Sequence, residues 1–385
     1  MFKHFQSVYA KKEVTYGTDP VPVKTLNAIL TGPVDIESVF KKMDRLNVKQ
    51  YLGNRASVSI GEQVKVSFET EVRGSGDSTP NTPPEIGVLF VGCNMAEDID
   101  KSSGALSITF VAATKKVTRG AGSFVTDGFE VGDIVTCDAV LNPGPFTVTV
   151  VAALEMTFSE TVADEGPVTK TLTANKVVYT PSDTLDGNSI TLYVQEHDLL
   201  YKVTGCRGTW SLDTKSAEYA KIKWEFQGLY VGPIDSAIET GIVYNATIPP
   251  AVKAATFSLG SFDTEAIIDT FKLTYGNELA RRPSVNAATG TLSYFIKERK
   301  TLIQIDPEAV ALATWDPITL LTAGTTAPLA FTIGSTAGNR MRINCPQVSI
   351  DSAKFGDREG LLTWDGSLLV EPTSAGQDDT KVTFN

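Results

Sequence analysis

The feature that most constrains this chain is a period-two alternation of apolar and polar residues. In residues 61–72 (GEQVKVSFETEV) the alternate positions beginning at Val64 are apolar or threonine, and residues 221–231 (KIKWEFQGLYV) show the same split around Trp224. Alternation of this period puts one face of an extended strand against a core and the other toward solvent. The sequence therefore predicts half-buried β-strands.

Strand-like runs recur along the chain, punctuated by 31 glycines and 19 prolines, as turn-rich β proteins require. They cover residues 88–91, 189–195, 200–205, 270–275, 291–297, 328–334 and 340–345. Helix candidates are few: residues 84–96, which compete with the strand reading of 88–91, and residues 316–322, where a proline stands near the first turn. We therefore expect a mainly β protein.

Residues 103–173 differ in composition from the rest, being rich in Thr, Val and small residues. Five short strands are predicted there, at residues 107–112, 116–119, 133–140, 146–152 and 154–159. Such a segment can form a small β-barrel or sandwich with its own core. We expect it to be inserted into a first domain made of residues 1–102 and 174–250, followed by a second domain at residues 251–385.

An internal repeat appears when that insert is set aside. Laying residues 189–231 over residues 328–370 places Cys206 opposite Cys345 and Trp224 opposite Trp364. Residues 63–72 then lie opposite 290–299, and the two helix candidates also match. Chance similarity between β-rich segments is the alternative. A duplication predicts two tandem β-sandwich or barrel domains, each with a short helix, and an assembly with half as many chains as domains.

The residues needed for catalysis or metal binding do not come together in this sequence. There are two histidines, and His197 lies between Glu196 and Asp198, which favours a solvated turn between strands over a catalytic dyad. The four cysteines form no CxxC motif and lie in apolar, strand-like sequence, so we expect buried thiols. The sequence predicts no enzyme activity, no cofactor and no metal.

Charge and hydropathy exclude other classes of protein. Acidic residues outnumber basic ones 45 to 34, a net charge of −11, which argues against a protein that grips phosphates by releasing counterions. No stretch approaches the roughly 20 apolar residues that a membrane span needs, and the N-terminus has no signal-peptide core. We expect a soluble protein made inside the cell.

Several segments together carry a resemblance to one family and cover most of residues 10–100 and 175–370. The most specific are residues 15–30 (TYGTDPVPVKTLNAIL) and 51–76 (YLGNRASVSIGEQVKVSFETEVRGSG); the others are residues 179–183, 205–213, 223–233, 335–343 and 355–360. They resemble the major tail tube proteins of long, non-contractile bacteriophage tails. Shorter family members lack residues 103–173, which are similar to a small β module grafted onto various phage structural proteins.

The resemblance implies a structural protein of the virion tail, made in the cytoplasm of the bacterial host. Its domains would be β-sandwiches flanked by a helix, joined by their strands into rings around a channel. The expected partners are further copies of the chain, the tape-measure protein, the tail terminator and tip proteins, and double-stranded DNA in transit. With two domains per chain we expect three chains per ring with pseudo-sixfold symmetry; six chains per ring is the alternative.

The acidity suggests how such a channel could work. Carboxylates on the wall would repel the phosphates of moving DNA, an effect that fades beyond roughly 10 Å at 0.1 M salt. The polar positions Glu69, Glu71 and Glu225 are candidates for the lumen, and an outer or subunit-facing position is the alternative. The long connections 35–54 and 73–85 are candidates for contacts within or between rings, and ordinary surface loops are the alternative. The inserted domain is expected on the tube exterior.

Two other classes remain open from the sequence. Another phage structural protein, such as a tail-tip or decoration subunit, would share the β content and the lack of catalytic residues. A secreted adhesin or carbohydrate-active β protein would need a signal peptide and a cluster of exposed aromatic and acidic residues.

Overall fold

The computed structural model describes residues 5–45, 48, 50, 54, 56–77, 82–185, 187–263, 266–287 and 290–385, without the side chains of residues 59–61. Strands account for 53% of the chain and helices for 4%, which confirms the mainly β prediction. No helix within these ranges has the length and apolar character to cross a membrane.

The elements of the first part are β1 (Gln6–Lys12), β2 (Ala28–Ile29), β3 (Asp35–Asp44), β4 (Ser57–Glu71), α1 (Gly87–Gly92), β5 (Met95–Val111), a 3-10 turn (Ala112–Thr114), β6 (Lys116–Arg119), β7 (Ile134–Cys137), β8 (Phe146–Val151), β9 (Glu155–Phe158), β10 (Glu165–Pro181), β11 (Ile190–Glu196), β12 (Leu199–Lys215), β13 (Lys221–Leu229) and β14 (Ile234–Asp235). Those of the second part are β15 (Thr256–Leu259), β16 (Thr270–Thr274), β17 (Asn277–Pro283), β18 (Thr291–Arg299), β19 (Leu302–Ile305), α2 (Pro317–Ala323), β20 (Thr326–Ile333), β21 (Met341–Arg358), β22 (Leu361–Glu371) and β23 (Lys381–Phe384).

Both predicted helices form. Helix α1 settles the competing readings of residues 88–91 in favour of a helix, but it is shorter than predicted because β5 already begins at Met95. Helix α2 begins at Pro317, and the side chain of Asp316 accepts hydrogen bonds from the N–H groups of Ile318 and Thr319. A capping aspartate followed by proline at the first helical position explains this start.

Residues around the predicted insert form a closed six-stranded barrel. Its strands pair in the cyclic order β5–β6–β9–β8–β7–β10. The barrel has a core of its own, whose buried residues run from Ile108 to Ala174. The sequence predicts five of these strands. The sixth is β10, which continues past residue 173 to Pro181 and, with β5, runs from the barrel into the rest of the sheet.

The main sheet is antiparallel throughout, in the order β3–β4–β13–β12–β16–β19–β22–β21. Its inner face is covered by the helices and further strands, and one continuous core underlies it. At the centre of this core the ring of Phe90 lies 4.9 Å from that of Trp224 and 5.2 Å from that of Trp210. Aromatic packing of this kind makes a large contribution to core stability.

Two sets of six strands pair in the same order within this architecture. The first set is β1–β11–β12–β13–β4–β3 and the second is β15–β20–β21–β22–β19–β16. Cys206 and Cys345 lie on the matching strands β12 and β21, and Trp224 and Trp364 on β13 and β22.

One part of the predicted repeat is wrong. Residues 291–299 form β18, which pairs with β17 in a separate hairpin, and the position equivalent to β4 is taken by β19. Alternation identifies a strand but does not show which strand lies beside it. The sequence comparison therefore matched residues 63–72 to the longer run of β18 instead of to the short β19. The predicted connection 35–54 is also wrong over residues 35–44, which form β3.

Candidate assembly interface

The two strand sets are joined inside the chain by an edge-to-edge contact, which we call the internal joint. Residues Ser211–Lys215 of β12 pair with Thr270–Thr274 of β16. Beyond the last pair, the N–H of Tyr275 donates a hydrogen bond of 3.0 Å to the carbonyl of Trp210. The two rings stack with centroids 5.2 Å apart and an interplanar angle of 18°, and both are fully buried.

The main sheet ends in two edges at which no strand of the described chain pairs. Strand β3 pairs with β4 alone, so one side of Asp35–Asp44 is an open edge; we call it the β3 edge. On β21 the pairing with β20 ends at Ser349, and Ser352–Arg358 pair with β22 alone; we call this the β21 edge. Unpaired N–H and C=O groups in a row form a template for another strand.

An exposed aromatic side chain lies at each open edge. Phe40 on β3 is 43% exposed and Phe355 on β21 is 63% exposed. Phe355 stacks on the buried Trp364 with ring centroids 4.2 Å apart, so it extends the aromatic core to the edge of the sheet. Each of the two phenylalanines thus adjoins a row of unpaired backbone groups that can pair with another strand.

The predicted lumen candidates lie on the outer face of the main sheet, opposite the core. Glu69 and Glu225 are exposed there, and Glu71 is half-exposed with its carboxylate 2.7 Å from the guanidinium of buried Arg73. The same face carries lysines: Lys223 pairs in register with Glu69 and lies 2.8 Å from the Glu225 carboxylate. The face is therefore of mixed charge, with cations and carboxylates adjacent.

A buried ion cluster, which we call the clamp, fixes the barrel against the second strand set. Asp133 of the barrel is fully buried, and its carboxylate lies 2.7 Å from Lys176 Nζ and 2.7 Å from Arg342 Nη2. Glu130 contacts the same two cations and Lys381. The sequence analysis missed this cluster. The only signal in the sequence was a few charged residues within otherwise apolar strands. Such residues do not show which distant side chains they contact.

His197 and the four cysteines lie in the environments that the sequence predicts. His197 lies in the turn between β11 and β12, as predicted, with its Nδ1 2.7 Å from the Asp198 carboxylate. All four cysteines are buried free thiols, which confirms that prediction, and burial raises the pKa of Cys345 to about 12. Among the described residues, no group of three or more His, Cys, Asp or Glu side chains is placed to hold a metal ion.

The candidate functional features are therefore the β3 edge and the β21 edge, which can each pair with a further strand. No protein-family model matches the chain, and no curated protein matches it.

Proposed function

We propose that this chain is a major tail tube protein of a long, non-contractile bacteriophage tail, and that its two strand sets are tandem tail-tube domains. The observation that carries the proposal is the internal joint. Two strand sets of the same order already meet edge to edge within one chain, and an open edge remains at each end of the main sheet. A chain built in this way is a segment of a longer continuous sheet.

Repetition of the same edge contact leads to a ring. An interface that joins different surfaces of successive copies gives a closed ring when its rotation closes, and a helical filament when it does not. Three chains supply six strand sets, which would form a pseudo-sixfold ring. Stacked rings would enclose a channel for the tape-measure protein and later for the genome.

The outer face of the main sheet is the surface that suits a lumen. The opposite face is covered by α1 and further strands, and the β17–β18 hairpin borders the outer face beside Thr209, which pairs in register with Glu225. A ring that keeps α1 on the outside would turn Glu69 and Glu225 inward. Two lysines on this face lie next to carboxylates: Lys223 is 2.8 Å from Glu225 and Lys272 is 3.8 Å from Asp213. A passing phosphate would gain little by displacing such a partner, because its pairing replaces one that exists.

Electron microscopy of the purified full chain tests the proposal. Hollow tubes of uniform width are expected at high protein concentration, and the protein should be among the most abundant in virions. A chain that stays monomeric under every condition and is missing from virions would contradict the proposal.

A further inference from the structure

The internal joint can be used as a template for the contact between chains, because its strands β12 and β16 have the counterparts β21 and β3 at the open edges. The transfer covers Ser211–Asp213 of the joint, since the next two positions correspond to the turn after Arg358. Within the sets, Trp224 pairs with Trp210, and Trp364 pairs with Phe355. Counted from the tryptophan pairs, Phe355 is the counterpart of Trp210. The cysteines do not share this register, since Trp210 follows Cys206 by four residues and Phe355 follows Cys345 by ten. Both face the core side of the sheet, but Trp210 is fully buried and Phe355 is 63% exposed.

The other side of the joint follows by the same tracing. In the first set, Phe226 of β13 pairs with Val66 of β4, which pairs with Ile36 of β3. In the second set, the matching residue Gly366 of β22 pairs with Ile305 of β19, which pairs with Phe271 of β16. Ile36 is thus the counterpart of Phe271, and four residues further along, Phe40 is the counterpart of Tyr275.

Transfer of the internal register to the open edges gives one specific pairing. Since Tyr275 lies opposite Trp210, Phe40 of one copy lies opposite Phe355 of the next copy. In the same register Ser38 meets Asp357 and Glu37 meets Arg358. The last pair replaces the Lys272–Asp213 ion pair of the internal joint with charges of the opposite order.

The free chain is consistent with an interface at these positions. Phe40 contacts the ring of Tyr230 with centroids 5.3 Å apart and still keeps 43% of its surface exposed. Arg358 is held at this end of the sheet by Glu308, at 2.9 Å, and Asp306, at 3.5 Å. Stacking of Phe40 on Phe355 would complete an aromatic row that runs onto Trp364, as Tyr275 completes the row of Trp210 and Trp224.

We propose that the β3 edge of one chain pairs antiparallel with the β21 edge of the next, with Phe40 stacked on Phe355 and Ser38 opposite Asp357. This inference rests on the proposed function and specifies the partner as a second copy of the chain in a head-to-tail arrangement. Each copy then pairs its β3 edge with one neighbour and its β21 edge with the other, and no edge is left once the ring closes.

Disulfide trapping tests the register. Opposed residues of an antiparallel pair lie within disulfide reach, so Ser38→Cys with Asp357→Cys in the full chain should form intermolecular disulfides in assembled material. All four native cysteines are buried and do not compete. For a ring of three chains, the covalent ladder should stop at the trimer. Ser38→Cys with the equally exposed Ser352→Cys is the control, five residues out of register, and should give only a background of cross-links.

Substitution of the aromatic pair is a second, independent measurement. Phe40→Ala and Phe355→Ala should each raise the protein concentration needed for assembly by about tenfold, and the double variant should cost less than the sum of the two. Leu361→Ala, at a residue 53% exposed at the start of β22, is the control and should leave that concentration unchanged. Far-UV circular dichroism should show the same fold in all variants, because both phenylalanines are exposed in the free chain.

The outcomes separate the inference from the proposed function. Rings or tubes that assemble but do not cross-link at Ser38 and Asp357, or that cross-link equally well in the control, would overturn the register and leave the tube assignment standing. A wild-type chain that never assembles would overturn both.

Discussion

Some charged side chains on the outer face of the main sheet lie next to partners of opposite sign. Glu225 and Lys223 lie 2.8 Å apart, and this proximity raises the pKa of the lysine. Exposed pairs of this kind contribute little to stability. In a channel, such a pair would instead reduce the attraction of its lysine for passing DNA, because the lysine already has a carboxylate partner.

Reversal of charge on this face should make the channel adhere to DNA. We expect Glu69→Lys combined with Glu225→Lys to leave assembly intact and to slow DNA ejection several-fold, with the effect shrinking as salt rises, since released counterions drive phosphate binding. Ejection can be timed by fluorescence of a DNA dye.

The barrel offers a matched control for this charge reversal. Glu155 also lies 2.8 Å from a lysine, Lys116, but on the predicted exterior. Glu155→Lys should leave the ejection rate unchanged. Equal rates for all three proteins would place Glu69 and Glu225 outside the lumen.

Loss of Asp133 should destabilise the chain because its carboxylate is fully buried between two cations. Asp133→Asn leaves Lys176 and Arg342, which are 2% and 6% exposed, with Glu130 at 3.6 and 3.3 Å as their remaining shared anion. Removal of one member of a buried ion pair typically costs about 3–5 kcal/mol. We expect a loss of that size in the free energy of unfolding measured by chemical denaturation.

The exposed pair Asp98–Lys101 provides the comparison for Asp133. Asp98→Asn should cost less than about 1 kcal/mol because water already solvates both charges. Equal losses for the two variants would mean that the clamp is not a stabilising element.

At the scale of elements, docking of the barrel should depend on pH. Burial alone would raise the pKa of Glu130, but Lys176, Lys381 and Arg342 outweigh it and leave that pKa below its ordinary value. A carboxyl with a lowered folded pKa contributes stability above its unfolded pKa of 4.5 and loses it as pH falls through the folded value.

The melting temperature should therefore fall more steeply below pH 4.5 in the wild-type chain than in Glu130→Gln, which has no carboxyl to titrate. Thermal melts between pH 7 and pH 3 measure this difference. Parallel curves for the two proteins would exclude Glu130 as a contributor.

Elements with local signals could be predicted from the sequence, and elements defined by distant neighbours could not. Alternation around Val66 and Trp224 identified β4 and β13, and the proline after Asp316 located α2. Strand β3 was missed because residues 35–44 are largely exposed and carry a weak pattern.

The candidate interface could not be predicted from the sequence for the same physical reason. Alternation tells which side chains share a face, while an open edge depends on which strands are absent beside it. Glu69 and Glu225 could be assigned to a polar face from the sequence. Phe40 and Phe355 can be recognised as interface candidates only from the structure, which shows that β3 and the end of β21 each pair with a strand on one side alone.

At the scale of the whole molecule, one chain carries two strand sets and one barrel. The β5 and β10 strands run from the barrel into the main sheet, and the clamp adds buried ionic contacts to the second set. The barrel is therefore held in a fixed orientation and should be visible as a defined feature of any assembly.

Class averages of assembled rings viewed down the tube axis test the central claim most directly. The account predicts a ring of about 124 kDa, three times the 41.3 kDa chain, with six sheet segments around the channel and three barrels on its outside. Rings with six barrels, or particles that remain single chains at every concentration, would contradict it.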